Sequence, residues 1–428
     1  MHILSLKNLD FFAVYFYFIT LVTEAPLRTA LDTIGLSPLI YIRELFLVIA
    51  IFSYLLQSHI DSKVIYLLLG FAFFLLEGIL FTENIFQVMA SLKSFLPFIL
   101  GFLMMNKYRE RCSELKKLYL FIFFTTALGL VLDYMFDDLP WKKLSIDVAG
   151  VSIEEQAGLI TFDGDTVSRP SGFMRLHNVA ATVISYTVGW AIAYRMHRVL
   201  WAIVGVIFVS LTTAKAPIVV MLAVCFIVII GSFFQQKGRG YLLKGVALFF
   251  AVLMIGLPLL SLVFGSIADQ LDTEMLFFLF ASFDDRLINS WPRSIEMITD
   301  YGNVVFGRGI GGIGYVVTLF DKFVHNPTPV DNFFVTAYGL VGIFAFLVFL
   351  FLLYQMLIRK IQSEWDMFML ILFVMIIGNG IMNDMTDQMT MLHFGLVTRY
   401  LLEKRHDDVN SKNYTSEKGL ADEIPSCS

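Results

Sequence analysis

His325 stands in the run Val-His-Asn-Pro, shortly before a long apolar segment, and His177 stands at the start of another. Histidine titrates near neutral pH, so one held at a membrane surface can act as a general base toward a hydroxyl group. Cations gather in the same parts of the chain. Arg169 and Arg175 flank Pro-Ser-Gly-Phe-Met, Lys215 sits in the short turn Leu-Thr-Thr-Ala-Lys-Ala-Pro, and Arg286, Arg293 and Arg308 lie within residues 266–329. The arginine fork matches the geometry of a phosphate, and lysine supplies a compact point charge. A base beside several such cations suits group transfer from a phosphate-bearing donor. The plainer alternatives are a loop histidine bonded to backbone, and arginines paired with Asp284, Asp285 or Asp300.

These side chains need a scaffold, and composition restricts its class. Hydrophobic residues make up 57% of the 428, charged residues 16%, and mean hydropathy is +0.74. Soluble domains carry about 25% charged residues, so much of this apolar surface has to face lipid. A bilayer span needs roughly 20 apolar residues, and about twelve segments qualify on that measure. They are 9–23, 38–57, 64–81, 84–105, 116–135, 173–194, 199–213, 216–234, 243–265, 330–355, 366–383 and 388–402. The expected fold is all-α: a polytopic integral membrane protein with one transmembrane domain over residues 1–402 and a polar, disordered tail at 403–428.

Orientation follows from the lysine and arginine bias of short loops. The connectors at 58–63, 106–117, 195–198, 235–244 and 356–365 carry most of the basic residues, whereas the short connectors opposite hold only Arg28 and Lys215. The basic side is therefore read as cytoplasmic, with both termini there and the long segments 136–172 and 266–329 facing outward. Only His177 and His325 then face outward; His2, His59, His197 and His406 are cytoplasmic, and His393 lies within the last helix.

Arg43, Glu44, Glu77 and Lys93 fall in the outer half of their apolar segments. Charges there are costly unless paired or functional. A Glu77–Lys93 ion pair is the first reading and a lipid-phosphate site the second. Gly307-Arg-Gly-Ile-Gly-Gly contains G-x-G-x-x-G but lacks the strand and βαβ context of a dinucleotide site, so a flexible turn is expected. There is no P-loop, zinc-ligand spacing, G-x-S-x-G or basic-aromatic surface, so no metal, cofactor or nucleic acid is expected. Cys112, Cys225 and Cys427 have no paired spacing, and no disulfide is expected.

Several short motifs occur in a telling order. Arg169-Pro-Ser-Gly172 is followed by Asn178 and Ala180, and later by Leu211-Thr-Thr-Ala-Lys215. Then come Arg286 with Trp291 and Arg293, Gly307-Arg-Gly309, His325-Asn326, and Gly339-Leu-Val-Gly342 opening an apolar segment. This order resembles the signature of the O-antigen polymerase and ligase superfamily (Wzy and WaaL types), over roughly residues 169–345. The chain departs from it at Lys215, where arginine is common, and at Ala214, where serine is common. The resemblance implies a GT-C-like, metal-independent glycosyltransferase in the bacterial inner membrane. Its donor would be a glycan on undecaprenyl pyrophosphate, and a chain-length regulator protein would be a further partner. Arg286, Lys215 and Arg169, with Arg293, Arg175 and Asn326, would hold the pyrophosphate and glycan, and His325 would take the acceptor proton. Polymerisation of lipid-linked repeat units is preferred. Ligation of the glycan to lipid A–core is the close rival. A transporter or flippase using Arg43, Glu44, Glu77 and Lys93 is the reading from another class; the absence of internal repeats counts against it.

Overall fold

The computed structural model describes residues 6–57, 60–136, 138–142, 145–148, 151–154, 159–162, 165–231, 236–263, 283–324, 330–384 and 386–403. His325 and Asn326, residues 266–282 and the tail beyond residue 403 lie outside them. The chain is predominantly helical. Helices α1 (Leu6–Val22) and α2 (Glu24–Thr33) are followed by α3 (Ile42–Gln57), α4 (Ser62–Thr82), α5 (Ile85–Glu110) and α6 (Cys112–Met135). Next come α7 (His177–Ala193), α8 (Arg198–Leu211), α9 (Lys215–Ile230) and α10 (Gln236–Ser261). Two short helices, α11 (Trp291–Tyr301) and α12 (Tyr315–Phe320), precede α13 (Phe333–Val341), α14 (Ile343–Ile358), α15 (Glu364–Asn379) and α16 (Gln388–Leu402).

Every apolar segment of the sequence thus contains helix. Five helices are long and apolar enough to cross a membrane, or six if the bent pair α1–α2 forms one span. These are the dimensions of a membrane-embedded helical protein. The α1–α2 bend is 81°, and it falls where Pro26 removes the backbone donor that would continue the ladder. The expected single helix over 330–355 is divided. Gly342 adopts φ 61° between α13 and α14, a conformation that glycine takes without a Cβ clash.

Side-chain caps fix several helix starts: Asp61 accepts from Val64 N, Asn84 from Phe86 N and Gln87 N, and Asp387 from Thr390 N. α15 is buried along nearly its whole length and packs against α7, α9, α10 and α16. α5 and α16 meet backbone to backbone. A Cβ on Gly101 would lie 2.0 Å from Leu392 O, and one on Gly395 would lie 2.1 Å from Phe98 O. Small residues permit this approach where helices associate in lipid. Outer faces carry exposed Leu69, Phe73, Leu76 and Leu80 on α4 and Phe249 and Val252 on α10, as expected of surfaces that lipid covers.

The structure corrects several expectations. Within this helical fold, segment 136–172 contains two short antiparallel hairpins, Ser145–Val148 with Val151–Glu154 and Leu159–Phe162 with Asp165–Ser168. In the first hairpin β-branched Ile146, Val148, Val151 and Ile153 occupy every second strand position. The glycine run is not a loose turn. Residues 307–314 are buried, with Arg308 N and Gly309 N bonded to Gly339 O and Leu340 O, and Ile310 N to Phe74 O. Positive φ at Gly307, Gly309, Gly311 and Gly314 shapes the run, and a Cβ on Gly309 would lie 2.2 Å from Gly78 N. Glu77 and Lys93 form no ion pair. Lys93 instead senses Glu44, Arg43, Arg175 and Arg28, because depth in the membrane does not specify the face of the helix. Cys225 is a buried free thiol, whereas Cys112 is disulfide-bonded, which corrects the expectation of none; sequence spacing does not report distance in space.

Candidate functional site

Four distant stretches of chain meet at the N-terminal ends of α7 and α9. Arg169, Asn178, Lys215, Arg286 and Asn383 line one open cleft, together with Ala214, Ala216, Pro217 and Met382.

Arg169 is placed by the loop that follows it. Asp133, buried on α6, accepts from Ser171 N at 2.6 Å and Gly172 N at 2.7 Å. Gly172 has φ 67°, and a Cβ there would lie 2.8 Å from Leu130 N, so the loop lies directly on α6. Lys142 Nζ closes an ion pair with Asp133 at 2.5 Å. The Arg169 guanidinium then lies 3.0 Å (Nη1) from His177 Nε2. Arginine has no acceptor, so this imidazole nitrogen accepts and the ring is neutral, with its proton on Nδ1. His177 therefore holds Arg169.

Lys215 begins α9 behind the turn Thr212–Ala214. Thr213 adopts φ 56°, uncommon for a threonine, and the Thr212 hydroxyl accepts from Ala214 N at 3.3 Å. Pro217 fits the first turn, where backbone N–H groups need no helical partner. Lys215 is exposed into the cleft.

Arg286 opens a single π-helical turn, Arg286–Ser290, that leads into α11. Its Nε donates to Asp331 Oδ2 at 2.5 Å, and Trp291 Nε1 donates to Asp331 Oδ1 at 3.2 Å. Asp331 itself is fixed by its neighbour. Asn332 is fully buried, donates to Met254 O and Ile381 O, each at 3.1 Å, and accepts from Val335 N at 3.0 Å. One asparagine therefore ties the start of α13 to α10 and to the α15–α16 loop. That loop carries Asn383, whose Oδ1 accepts from Asn178 Nδ2 at 3.1 Å.

The cations of the cleft feel one another's charge. Arg169 is pushed down from its ordinary pKa by burial and then by the Arg286 charge, and Lys215 senses both arginines. Like charges held this close repel, and an anion between them relieves the repulsion. Burial raises the Asp331 carboxyl against the opposing pull of Arg286, and it also raises Asp384.

Of the residues singled out in the sequence, Arg169, Lys215 and Arg286 converge. Arg293 does not; it lies on the exposed face of α11. Arg175 turns away toward Glu24, at 4.0 Å. Arg308 is buried and paired with Asp321 at 3.0 Å, and Gln87 also donates to that carboxylate at 3.2 Å. Arg286 and Arg308 each find a carboxylate, Asp331 and Asp321, that the sequence reading had not offered. His325 and Asn326 lie outside the described residues. Sequence reasoning passed over Asp331, Asn332, Asp133 and Asn383. The Asp-Asn pair just before an apolar run was a visible helix-start signal, but it was not read as a partner for arginine. Among the described residues, no three His, Cys, Asp or Glu side chains could share a metal ion. Comparison of the chain with family profiles, with curated proteins and with solved structures finds no match.

Proposed function

We propose that this chain polymerises lipid-linked oligosaccharide repeat units at the outer face of a bacterial inner membrane. In this reading it spans the membrane about twelve times, keeps both termini in the cytoplasm and adopts a GT-C-like arrangement. The donor is a glycan on undecaprenyl pyrophosphate. The observation that carries the reading is the cleft shared by Arg169, Lys215 and Arg286, three cations brought together from far apart in the sequence.

The chemistry follows from charge. The bond from the anomeric carbon to the pyrophosphate oxygen breaks, and the electron pair leaves with the pyrophosphate. Negative charge grows on the leaving group, and cations fixed beforehand stabilise it more in the transition state than in the ground state. An acceptor hydroxyl oxygen forms the new glycosidic bond and loses its proton to a base. His325 is the expected base, and Arg286 the expected catalytic cation. Asn178 and Asn383 at the cleft wall suit hydrogen bonding to sugar hydroxyls or phosphate oxygens.

Transfer of the glycan to lipid A–core would use the same donor chemistry and differ only in acceptor. The test is an assay of purified protein with lipid-linked oligosaccharide alone. Ladder formation supports polymerisation. Glycan transfer that requires added lipid A–core indicates ligation. Vectorial movement of the lipid without glycosidic bond formation overturns both.

A further inference from the structure

The wall of the cleft carries an amide pair beside its cations. Asn178, in the first turn of α7, donates from Nδ2 to Asn383 Oδ1 at 3.1 Å. No second bond closes the two amides into a ring. Asn178 Oδ1 and Asn383 Nδ2 make no other side-chain hydrogen bond among the described residues, and both side chains line the cleft. A carboxamide offers an acceptor oxygen and a two-donor nitrogen. One acceptor and one donor therefore stand open on neighbouring side chains. Turning both amides over leaves the same open pair with the roles exchanged.

The open acceptor restricts what can lie against it. A pyrophosphate diester accepts hydrogen bonds and has no proton to give near neutral pH, so it can use the donor but not the acceptor. A ring hydroxyl can give and take, through a single oxygen. An acetamido group gives through its N–H and takes through its carbonyl, two atoms for the two open positions, and it carries a methyl group as well. The cleft has a surface for that methyl. Ala214, Ala216, Pro217 and Met382 are four of its nine lining residues, and Ala216 and Met382 are part-exposed. A hydroxyl leaves this apolar wall wet, whereas an acetyl methyl covers it. Chemical position agrees. The anomeric carbon bears the pyrophosphate, so the ring substituent nearest the cations is the one on carbon 2.

We propose that the cleft reads a 2-acetamido group on the sugar that carries the pyrophosphate, so that the donor glycan begins with an N-acetylated amino sugar. Asn178 and Asn383 hold the amide N–H and carbonyl, and Met382 with Ala216 covers the methyl. The assignment rests on the lipid-linked donor reading of the cleft and adds the class of sugar to it. The reader and the leaving-group cation share one anchor. Asn332 bonds Ile381 O in the loop that carries Met382 and Asn383, and it follows directly on Asp331, the partner of Arg286.

Native mass spectrometry of the full-length protein with undecaprenyl pyrophosphate carrying a single sugar tests this. N-acetylglucosamine is compared with glucose, and N-acetylgalactosamine with galactose, so that only carbon 2 differs within each pair. In at least one pair the acetamido lipid should bind wild type about 10–200-fold more tightly, the range that one apolar group in a pocket supplies. Met382→Ala should cut that ratio about tenfold, and the Asn178→Ala, Asn383→Ala double variant should bring it within about threefold of one. Ratios within about threefold of one for wild type in both pairs overturn the acetamido assignment, while binding of the lipids themselves keeps the donor-cleft reading. A preference that survives undiminished in the folded double variant also overturns the assignment, because another part of the chain then reads the sugar. If wild type binds neither the sugar-bearing lipids nor bare undecaprenyl pyrophosphate, the donor-cleft reading fails, and the assignment fails with it.

Discussion

Replacing Arg286 by lysine conserves charge, yet it should cost nearly as much as replacing it by alanine. Arg286 has two tasks at once: its Nε holds Asp331 at 2.5 Å, while the side chain lines the cation cleft. A guanidinium can do both because its five N–H groups point outward in a rigid fork. A lysine has one nitrogen. If that nitrogen stays on Asp331, the cleft loses a donor aimed at the leaving group, worth about 10²–10³-fold in rate by analogy with other preorganised donors. If it turns to the ligand, Asp331 loses a charge-assisted bond of about 1.5–3 kcal/mol beside Trp291. Either way Arg286→Lys should fall ~100-fold or more below wild type, within about tenfold of Arg286→Ala. The assay is transfer from lipid-linked oligosaccharide by purified variants, with donor binding measured separately. Transfer by Arg286→Lys within about threefold of wild type would refute the two-task argument, because no lost donor of this size could be present.

Lys215→Arg should be tolerated, since it keeps the charge and adds a fork in an open cleft; complete loss of transfer would show that the Thr213 turn cannot accommodate the larger group. His325→Ala should still bind donor yet lose about 10²–10⁴-fold in transfer, the usual contribution of a general base; near wild-type transfer would remove it from the chemistry. Gly309→Ala should sharply lower thermal stability in detergent, because its Cβ would lie 2.2 Å from Gly78 N in a residue with φ 70°; an unchanged melting temperature would mean the loop is not docked on α4. Asp387 is pushed from 3.8 up to about 6, chiefly by burial. The folded state holds that proton more tightly than the unfolded chain. Its contribution to stability is therefore full below about pH 4 and is lost as pH rises through about 6, a swing of roughly 2–3 kcal/mol. Asp387→Asn keeps an acceptor for Thr390 N and should flatten the stability curve across that window; an unchanged slope would show that Asp387 does not titrate there.

The helices were legible because lipid imposes a length and a composition on each of them. Their breaks were harder to see. Gly342 stands inside the apolar stretch 330–355, and hydropathy averages over it. Three cations of the cleft were legible because charge at the end of an apolar segment needs a reason. Their partners were not. Asp331 lies 45 residues from Arg286, and Asp133 lies 38 from Ser171; a carboxylate in a loop carries no local mark of the arginine or amide it will meet. Glu77 and Lys93 show the limit of one-dimensional depth, since two residues at one height can face different neighbours.

The glycine run teaches a different lesson. Glycine was read as freedom to move, but here its missing Cβ matters more. Gly307 and Gly309 let the loop pass against α13 and α4, and Gly339 and Gly342 leave room from the other side: a Cβ on Gly339 would lie 2.1 Å from Ile313 Cδ1, and one on Gly342 would lie 2.2 Å from Val305 O. The G-x-G and G-x-x-G elements are therefore two halves of one contact. That contact sets the start of α13, hence Asn332 and Asp331, and through Asp331 the guanidinium of Arg286. Substituting these glycines should disturb the cleft although none of them lines it, which links the packing of the loop to the chemistry of the cations.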